Sequence, residues 1–253
     1  MLLKRSIALL ILLGLCAAAK ADPVATWSFV DPYDRWTLTN PDPQTVRLDE
    51  RGRSSKVGPA WVVSDFTLAP VAQFTVTARV TSSHSDDDFF GIAFGYQDND
   101  NFYLMDWKRA RQRFNWRDAT TVVDDTAEAG LKLKKIDDGW TRDGLWGGTD
   151  GDGVSTLAEP VAGGWSPGTV YTFDVSLSPD RILIRRDGVT VFDVADATFT
   201  GGRIAFYGFS QDNIEFTMPA VNGANLPEPV TAAALALGAL VLLSRRHRRR
   251  RRQ

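Results

Sequence analysis

The fold is decided by residues 71–97, which read VAQFTVTARVTSSHSDDDFFGIAFGYQ. Within the segment 74–80, apolar side chains occupy every second position, which is the pattern of a strand buried on one face. The segment 89–96 is apolar at odd and even positions alike, as in a central strand that is covered on both faces. This stretch therefore predicts two strands of a β-sheet protein.

The same two-residue period returns along the chain, for example at 171–177. The dipeptide Asp187-Gly188 separates two apolar runs and predicts a hairpin, because both residues tolerate positive φ. No stretch shows a convincing helical period, so about twelve short strands predict an all-β sandwich of two sheets in one domain. The segment 147–168 is expected to be a surface loop, and 124–125 and 137–138 are expected to be surface turns.

The composition excludes several kinds of chemistry. The chain has 253 residues, with one cysteine and two histidines. Cys16 and His247 lie in terminal segments that we expect to be removed, so the folded part keeps His84 alone. A thiol catalyst, a disulfide framework or a Cys/His zinc site would lack ligands. His84 itself is interpreted as a solvated turn residue.

The net charge of −2 conceals an uneven distribution. Ten of the 29 basic residues lie in the first twenty and the last nine residues, and none of the 31 acidic residues lies there. The body of the chain therefore carries a charge of about −12, which disfavours nucleic acid as a partner and favours cations.

The N-terminal segment 1–21 is predicted to be a secretory signal peptide. Lys4-Arg5 is followed by the apolar run 7–19, and the small residues Ala19 and Ala21 mark a signal peptidase site before Asp22. The run is too short to span a membrane comfortably. We therefore expect cleavage after Ala21.

The C-terminal segment 221–253 is predicted to be a sorting signal. Pro227, Glu228 and Pro229 precede an uncharged run, 230–243, and then a cluster of arginines. This order resembles the PEP-CTERM signal of Gram-negative bacteria. The resemblance implies transient anchoring in the inner membrane, cleavage by an exosortase, and release to the cell surface or the matrix. An uncleaved membrane anchor is the alternative, and the arginines would keep its end in the cytoplasm.

Several segments of the body resemble, in order and spacing, the C-terminal, lectin-like domain of thrombospondins. They are 85–97, 101–108, 130–134, 201–206 and 209–214. The resemblance covers most of the domain that we assign to 22–220. It implies a concanavalin-like β-sandwich of the jelly-roll type, bound calcium, and a role in adhesion or matrix contact.

The sequence departs from this family at two informative positions. Gly208 stands where the animal domains carry a half-cystine, so their disulfide is absent here. Asp106 alters the strand that carries the animal receptor-binding peptide. No animal receptor interaction is therefore expected of this chain.

Two groups of aspartates are predicted to bind metal: Asp86, Asp87 and Asp88 in one loop, and Asp98 and Asp100 in the next. Adjacent carboxylates repel one another unless a cation neutralises them, and calcium prefers oxygen ligands. If the intervening strands form a hairpin, the two groups lie at opposite ends and form separate sites. The alternative for either group is a solvated turn.

The sequence thus favours a non-enzymatic, calcium-binding module that contacts polysaccharide or protein at the cell envelope or in the matrix. The alternative is a secreted glycoside hydrolase or lyase on the same fold, which would need two carboxylates about 5–9.5 Å apart. The few glutamates of the body are widely scattered and show no such pattern. A structural matrix component without a defined ligand is a third possibility.

Overall fold

The computed structural model of the chain describes residues 27–42, 45–50, 58–82, 86–117, 122–147, 151 and 153–225. The predicted signal peptide, His84 and all of the predicted sorting signal beyond residue 225 lie outside these ranges. The elements in the described ranges are β1 Trp27–Val30, β2 Trp36–Asp42, β3 Thr45–Glu50, β4 Pro59–Ser64, β5 Thr67–Val80, β6 Phe89–Asp98, β7 Asn101–Lys108, β8 Gln112–Arg117, β9 Val122–Ala127, β10 Gly130–Ile136, α1 Arg142–Gly147, β11 Val154–Thr156, β12 Val161–Ala162, β13 Tyr171–Ser178, β14 Arg181–Arg186, β15 Val189–Val194, β16 Arg203–Phe209 and β17 Ile214–Asn225.

Two antiparallel sheets form a sandwich, as the sequence predicts. The first sheet has the strand order β1-β4-β16-β6-β7-β10-β11, with β12 also paired to β10. The second sheet has the order β15-β14-β13-β5-β17-β3-β2, and β8 and β9 form a separate hairpin. The alternating segments 74–80 and 171–177 lie side by side in the second sheet, paired from Tyr171–Ala78 to Leu177–Ala72.

Strand β6 lies in the middle of the first sheet and is covered on both faces, as predicted. Phe90, Ile92 and Phe94 belong to the main core between the sheets. Phe89 and Ala93 belong to a second hydrophobic core on the outer face of the first sheet. The absence of polar alternation in this strand follows directly from the two cores.

The second core is covered by elements that the sequence pattern does not predict. Helix α1 contributes Leu145 and Trp146 to it, and β11 contributes Val154. With six residues, α1 is too short to carry a helical period.

No helix in the described ranges is long and apolar enough to cross a membrane.

Two of the loop and turn predictions are wrong. The segment 147–168 contains β11 and β12, which extend the first sheet beside β10. Residues 124–125 belong to β9 and pair with β8. Strands β11 and β12 have three residues or fewer, too few to show alternation.

The predicted hairpin between β14 and β15 is confirmed. Asp187 and Gly188 have φ values of 52° and 80°, the conformation that a two-residue turn between right-twisted strands requires. Asp138 also has a positive φ, 67°, in the predicted turn at 137–138.

The two positions that depart from the thrombospondin pattern are both explained by packing. A Cβ atom at Gly208 would lie 2.7 Å from Cη2 of Trp36, so the indole ring fills the space of a side chain there. Asp106 is fully buried, and its Oδ2 lies 2.6 Å from Nζ of Lys134, which is equally buried.

Candidate functional site

The turn that joins β16 to β17, residues 210–213, brings together acidic residues that are far apart in the sequence. The carboxylate of Asp86 accepts a hydrogen bond from the backbone N–H of Asp212 at 2.9 Å. The carboxylate of Asp49, at the end of β3, accepts one from the N–H of Asn213 at 2.8 Å. The segment before β6 of the first sheet and the end of β3 of the second sheet are thus joined through this turn.

The first half of the same turn contacts two further acidic residues. The Ser210 hydroxyl donates to Oε2 of Glu50 at 3.3 Å. The side-chain oxygen of Gln211 accepts a hydrogen bond from the N–H of Asp88 at 2.9 Å. We call the carboxylates gathered by this turn the acidic cluster: Asp49, Glu50, Asp86, Asp88 and Asp212.

Lys108 supplies a cation beside the cluster. Its Nζ lies 3.1 Å from Oδ1 of Asp87 and 2.9 Å from Oδ1 of Asp88, and the lysine side chain is fully buried. The ammonium also donates to the carbonyl of Asp87 at 2.6 Å and to Gln112 at 2.7 Å. Lys108 therefore fixes the segment 86–88 and neutralises part of its charge.

Burial and like charge shift the titration of two cluster members. Burial raises the pKa of Glu50 to about 7, with Asp86 and Asp212 adding to the rise and Arg35 opposing it. Burial also raises the pKa of Asp88; Lys108 opposes the rise and Asp86 adds to it. The negative charge of the cluster is therefore held at a cost in free energy.

Asp98 and Asp100 lie far from the acidic cluster. They belong to the tight connection of β6 and β7, whose pairing runs from Phe89–Lys108 at one end to Asp98–Asn101 at the other. Nine residue steps along a strand correspond to roughly 30 Å. The sequence analysis left open whether the two aspartate groups share a site, and the structure separates them.

The Asp98 turn is organised by its own hydrogen bonds. Oδ1 of Asp98 accepts from the N–H of Asp100 at 2.9 Å and from the Asn101 amide at 2.8 Å. This is the usual way in which an Asp side chain closes a turn, and it uses one of the two carboxylate oxygens of Asp98.

The acidic cluster offers the oxygen donors that calcium prefers, but only some of its carboxylates are available to an ion. Asp86, Glu50 and Asp212 offer only oxygen atoms. Oε1 of Glu50 is buried without a hydrogen bond in the described part of the chain, but it lies 3.4 Å from the Arg35 guanidinium. Asp87 and Asp88 are engaged by Lys108 instead. Among the described residues, no three Asp, Glu, His or Cys side chains are grouped so that they could hold one metal ion.

The sequence analysis missed Glu50, Asp212 and Lys108 as members of this site. Glu50 was counted among scattered glutamates, and its partner Ser210 is 160 residues away. The position of Lys108 at the end of the mainly apolar strand β7 could have indicated its role, because a charged side chain in a buried strand requires a partner.

The family described as Thrombospondin C-terminal region matches residues 50–223, a range that includes the segment 86–88 and the turn at 210–213. Thrombospondin-3a of Danio rerio is 32% identical over 203 residues, covering 68% of this chain and 21% of the relative. Human thrombospondin-2 is 28% identical over 204 residues, covering 69% and 17%. The chain thus spans about a fifth of the length of the curated relatives that it matches.

Solved structures with a similar fold include carbohydrate-binding proteins. The luminal domain of VIP36, in a form bound to Ca²⁺ and Man2, has a TM-score of 0.54 at 11% identity and covers 81% of this chain and 83% of its own. The carbohydrate-binding module CBM66 of Bacillus subtilis has a TM-score of 0.50 at 14% identity, with coverages of 78% and 93%. At these identities the likeness concerns the lectin-like fold alone.

Proposed function

This chain belongs to the thrombospondin C-terminal family, and on that premise we propose that it is a non-enzymatic binding module for glycan or protein outside the cytoplasm, at a bacterial envelope or in its matrix. The observation that carries the proposal is the family match over residues 50–223, because it includes both parts of the chain that meet at the acidic cluster. The lectin-like fold favours glycan as the ligand.

Calcium is part of this proposal. We place it at the segment 86–88, with Asp86 as a ligand, because Lys108 contacts the carboxylates of Asp87 and Asp88. The charges of Glu50 and Asp212 add to the negative potential around Asp86. Asp98 and Asp100 remain a second predicted position. A bound divalent cation would offset the repulsion among these carboxylates and hold the turn at 210–213 against the strand ends.

Binding and catalysis can be separated in one experiment. The protein is incubated with a panel of polysaccharides, in calcium and in chelator, and both retained protein and released reducing ends are measured. We expect retention on at least one polysaccharide in calcium, weaker retention in chelator, and no reducing ends. Retention on none of them, with or without calcium, would contradict the proposal.

The enzyme alternative has one observation in its favour. Glu50 has a pKa of about 7 beside other carboxylates, as a general acid requires. Release of reducing ends by the wild type, lost in Glu50→Gln, would assign hydrolysis to this residue and replace the binding module as the proposed function.

We also propose that the chain is exported and processed. Signal peptidase would cut after Ala21, and an exosortase would cut near Pro227, Glu228 and Pro229, removing the arginine tail. The intact mass of the extracellular protein tests both steps: we expect a chain that begins at Asp22 and lacks the arginines. A mass that retains them would leave a membrane anchor in place of a sorting signal.

A further inference from the structure

The main core is open at one end of the sandwich. The inward-facing positions of β14 are Ile182, Ile184 and Arg186, of which the first two are buried. The third is a charged residue, and its guanidinium carbon lies 4.7 Å from the centre of the Trp107 ring. An arginine thus occupies the next position on the face of β14 that carries the buried isoleucines, opposite Phe173 of β13.

A shallow groove of about 270 Å³ lies at this end. Its walls are Trp107 and Tyr171 from the two sheets, Arg186 and Asp187 from the β14–β15 turn, and the glycines 163 and 164. This volume is below the range of about 300–1,000 Å³ typical of pockets that enclose a drug-sized ligand. The groove therefore fits one small ring, or one unit of a longer chain that lies across it.

The aromatic wall is rigid. The Trp107 and Tyr171 rings are 4.5 Å apart and meet edge to face. The Trp107 indole N–H donates to the carbonyl of Gly163 at 2.8 Å, and the Tyr171 hydroxyl accepts from the N–H of Ser166 at 2.8 Å. A ligand would meet preorganised rings, which lowers the entropy cost of binding.

The N–H groups of the Arg186 guanidinium are available to a ligand. Within the described ranges, its guanidinium contacts the Trp107 ring and has no hydrogen-bond partner. A guanidinium has five N–H donors in a planar fork that matches a carboxylate. Beside it, a Cβ atom at Gly163 would meet nothing within 4 Å, so the backbone there is open to a ligand.

We propose that this groove binds one carboxylate-bearing unit of an acidic polysaccharide, that is, a uronate. Arg186 holds the carboxylate, and the apolar face of the sugar ring lies against the half-buried Tyr171, while the buried Trp107 ring supports both side chains from below. The inference rests on the proposed function and names the substrate class and the place of binding within it.

The groove is joined to the segment 86–88. The loop that contains Gly163 continues to Trp165, whose indole N–H donates to the carbonyl of Asp88 at 3.1 Å. Gly164 packs on the chain after β7, where a Cβ atom would lie only 1.7 Å from the carbonyl of Arg109. A fixed position of the segment 86–88 therefore helps to hold Gly163 and Gly164 in place along the groove.

The test uses the processed protein and three polymers: alginate as the polyuronate, alginate with its carboxyl groups reduced, and dextran. Binding is measured at about 0.15 M salt, where the repulsion from the acidic body is screened beyond about 8 Å. We expect binding to alginate, and at least about tenfold weaker binding to the carboxyl-reduced polymer and to dextran, because these polymers lack the charged group that Arg186 would hydrogen-bond.

Variants at two adjacent residues locate the site. Arg186→Ala should weaken alginate binding at least about tenfold. Arg185→Ala is the matched control, because Arg185 lines a different cleft on the outer face of the second sheet, and it should bind as the wild type does. If Arg186→Ala fails to fold, Arg186→Lys keeps the charge but loses the planar fork, and it should still bind several-fold more weakly than the wild type.

The outcomes distinguish this inference from the proposed function. Alginate binding that Arg186→Ala leaves unchanged, or binding to dextran in preference to alginate, overturns the uronate groove and leaves the binding module intact. Failure to bind any polymer here or in the wider polysaccharide panel overturns both.

Discussion

Asp106 and Lys134 form an ion pair in which both side chains are fully buried, at 2.6 Å. Asp106 lies on β7 and Lys134 on β10, the next strand of the first sheet. Burial lowers the pKa of Lys134, and Asp106 opposes that shift. A buried ion pair contributes little more to the stability of the fold than apolar residues of the same size would. Removing one member alone is strongly destabilising, because the other charge is then buried without a partner.

We expect Lys134→Met to lower the free energy of unfolding by about 3–5 kcal/mol, because it leaves a buried carboxylate without a counter-ion. Adding Asp106→Leu should recover much of that loss. Urea unfolding measures both variants. Arg181→Met is the control, since Arg181 and Asp193 form an exposed pair at the same distance of 2.6 Å and should matter far less. Equal losses for the two single variants would contradict this account.

The raised pKa of Glu50 predicts that the stability of the fold depends on pH. Its pKa is about 7 in the folded protein against 4.5 in an ordinary setting, so the folded state retains a proton that the unfolded chain releases. Stability in chelator should therefore fall as pH rises from about 4.5 to 7. Glu50→Gln keeps an acceptor for Ser210 but cannot ionise.

Urea unfolding at several pH values should show a shallower decline in this range for Glu50→Gln than for the wild type. The control is Glu159→Gln at an exposed loop position, which should keep the wild-type slope. An unchanged slope in Glu50→Gln would show that another group governs the decline.

At the scale of elements, the layer over the outer face of the first sheet is the least expected feature. Trp146 of α1 packs against Phe89 and Phe209, with ring centres 5.3 and 5.5 Å apart. The layer is connected to the sandwich through such contacts rather than through the main core. This layer should therefore be able to unfold locally while the two sheets of the sandwich stay folded.

We expect Trp146→Ala to speed amide hydrogen exchange in α1 at least about tenfold, while exchange in β5 and β13 stays near the wild-type rate. Phe192→Ala, in the main core, is the matched control and should speed exchange across the second sheet instead. Uniform acceleration throughout the domain in Trp146→Ala would mean that the covering layer and the sandwich unfold as one unit.

The elements also show what the sequence can predict. Strands buried on one face carry a period of two, which predicts β5 and β13. The dipeptide Asp187-Gly188 predicts the β14–β15 hairpin. Helix α1 and strands β11 and β12 are too short to carry a period. The acidic cluster depends on contacts such as Asp88–Gln211 and Asn213–Asp49, which join residues 123 and 164 positions apart. No local pattern encodes such contacts.

At the scale of the whole molecule, the acidic cluster and the aromatic groove are joined by the hydrogen bond from Trp165 to Asp88. The turn at 210–213 gathers carboxylates from strand ends of both sheets, and Lys108 compensates only those of Asp87 and Asp88. We therefore expect a divalent cation at Asp86 to complete the neutralisation of this site, and this is our central claim.

Thermal unfolding of the processed protein in about 1 mM calcium and in chelator tests this claim most directly. Extracellular calcium modules have dissociation constants of roughly 10⁻⁴–10⁻³ M, which corresponds to about 0.4–1.4 kcal/mol of stabilisation per site. The melting temperature should rise by about 1–5 °C per site. Asp86→Asn should lose the rise, and Asp180→Asn, at an exposed turn, should keep it. Identical melting curves of the wild type in calcium and in chelator would contradict the claim.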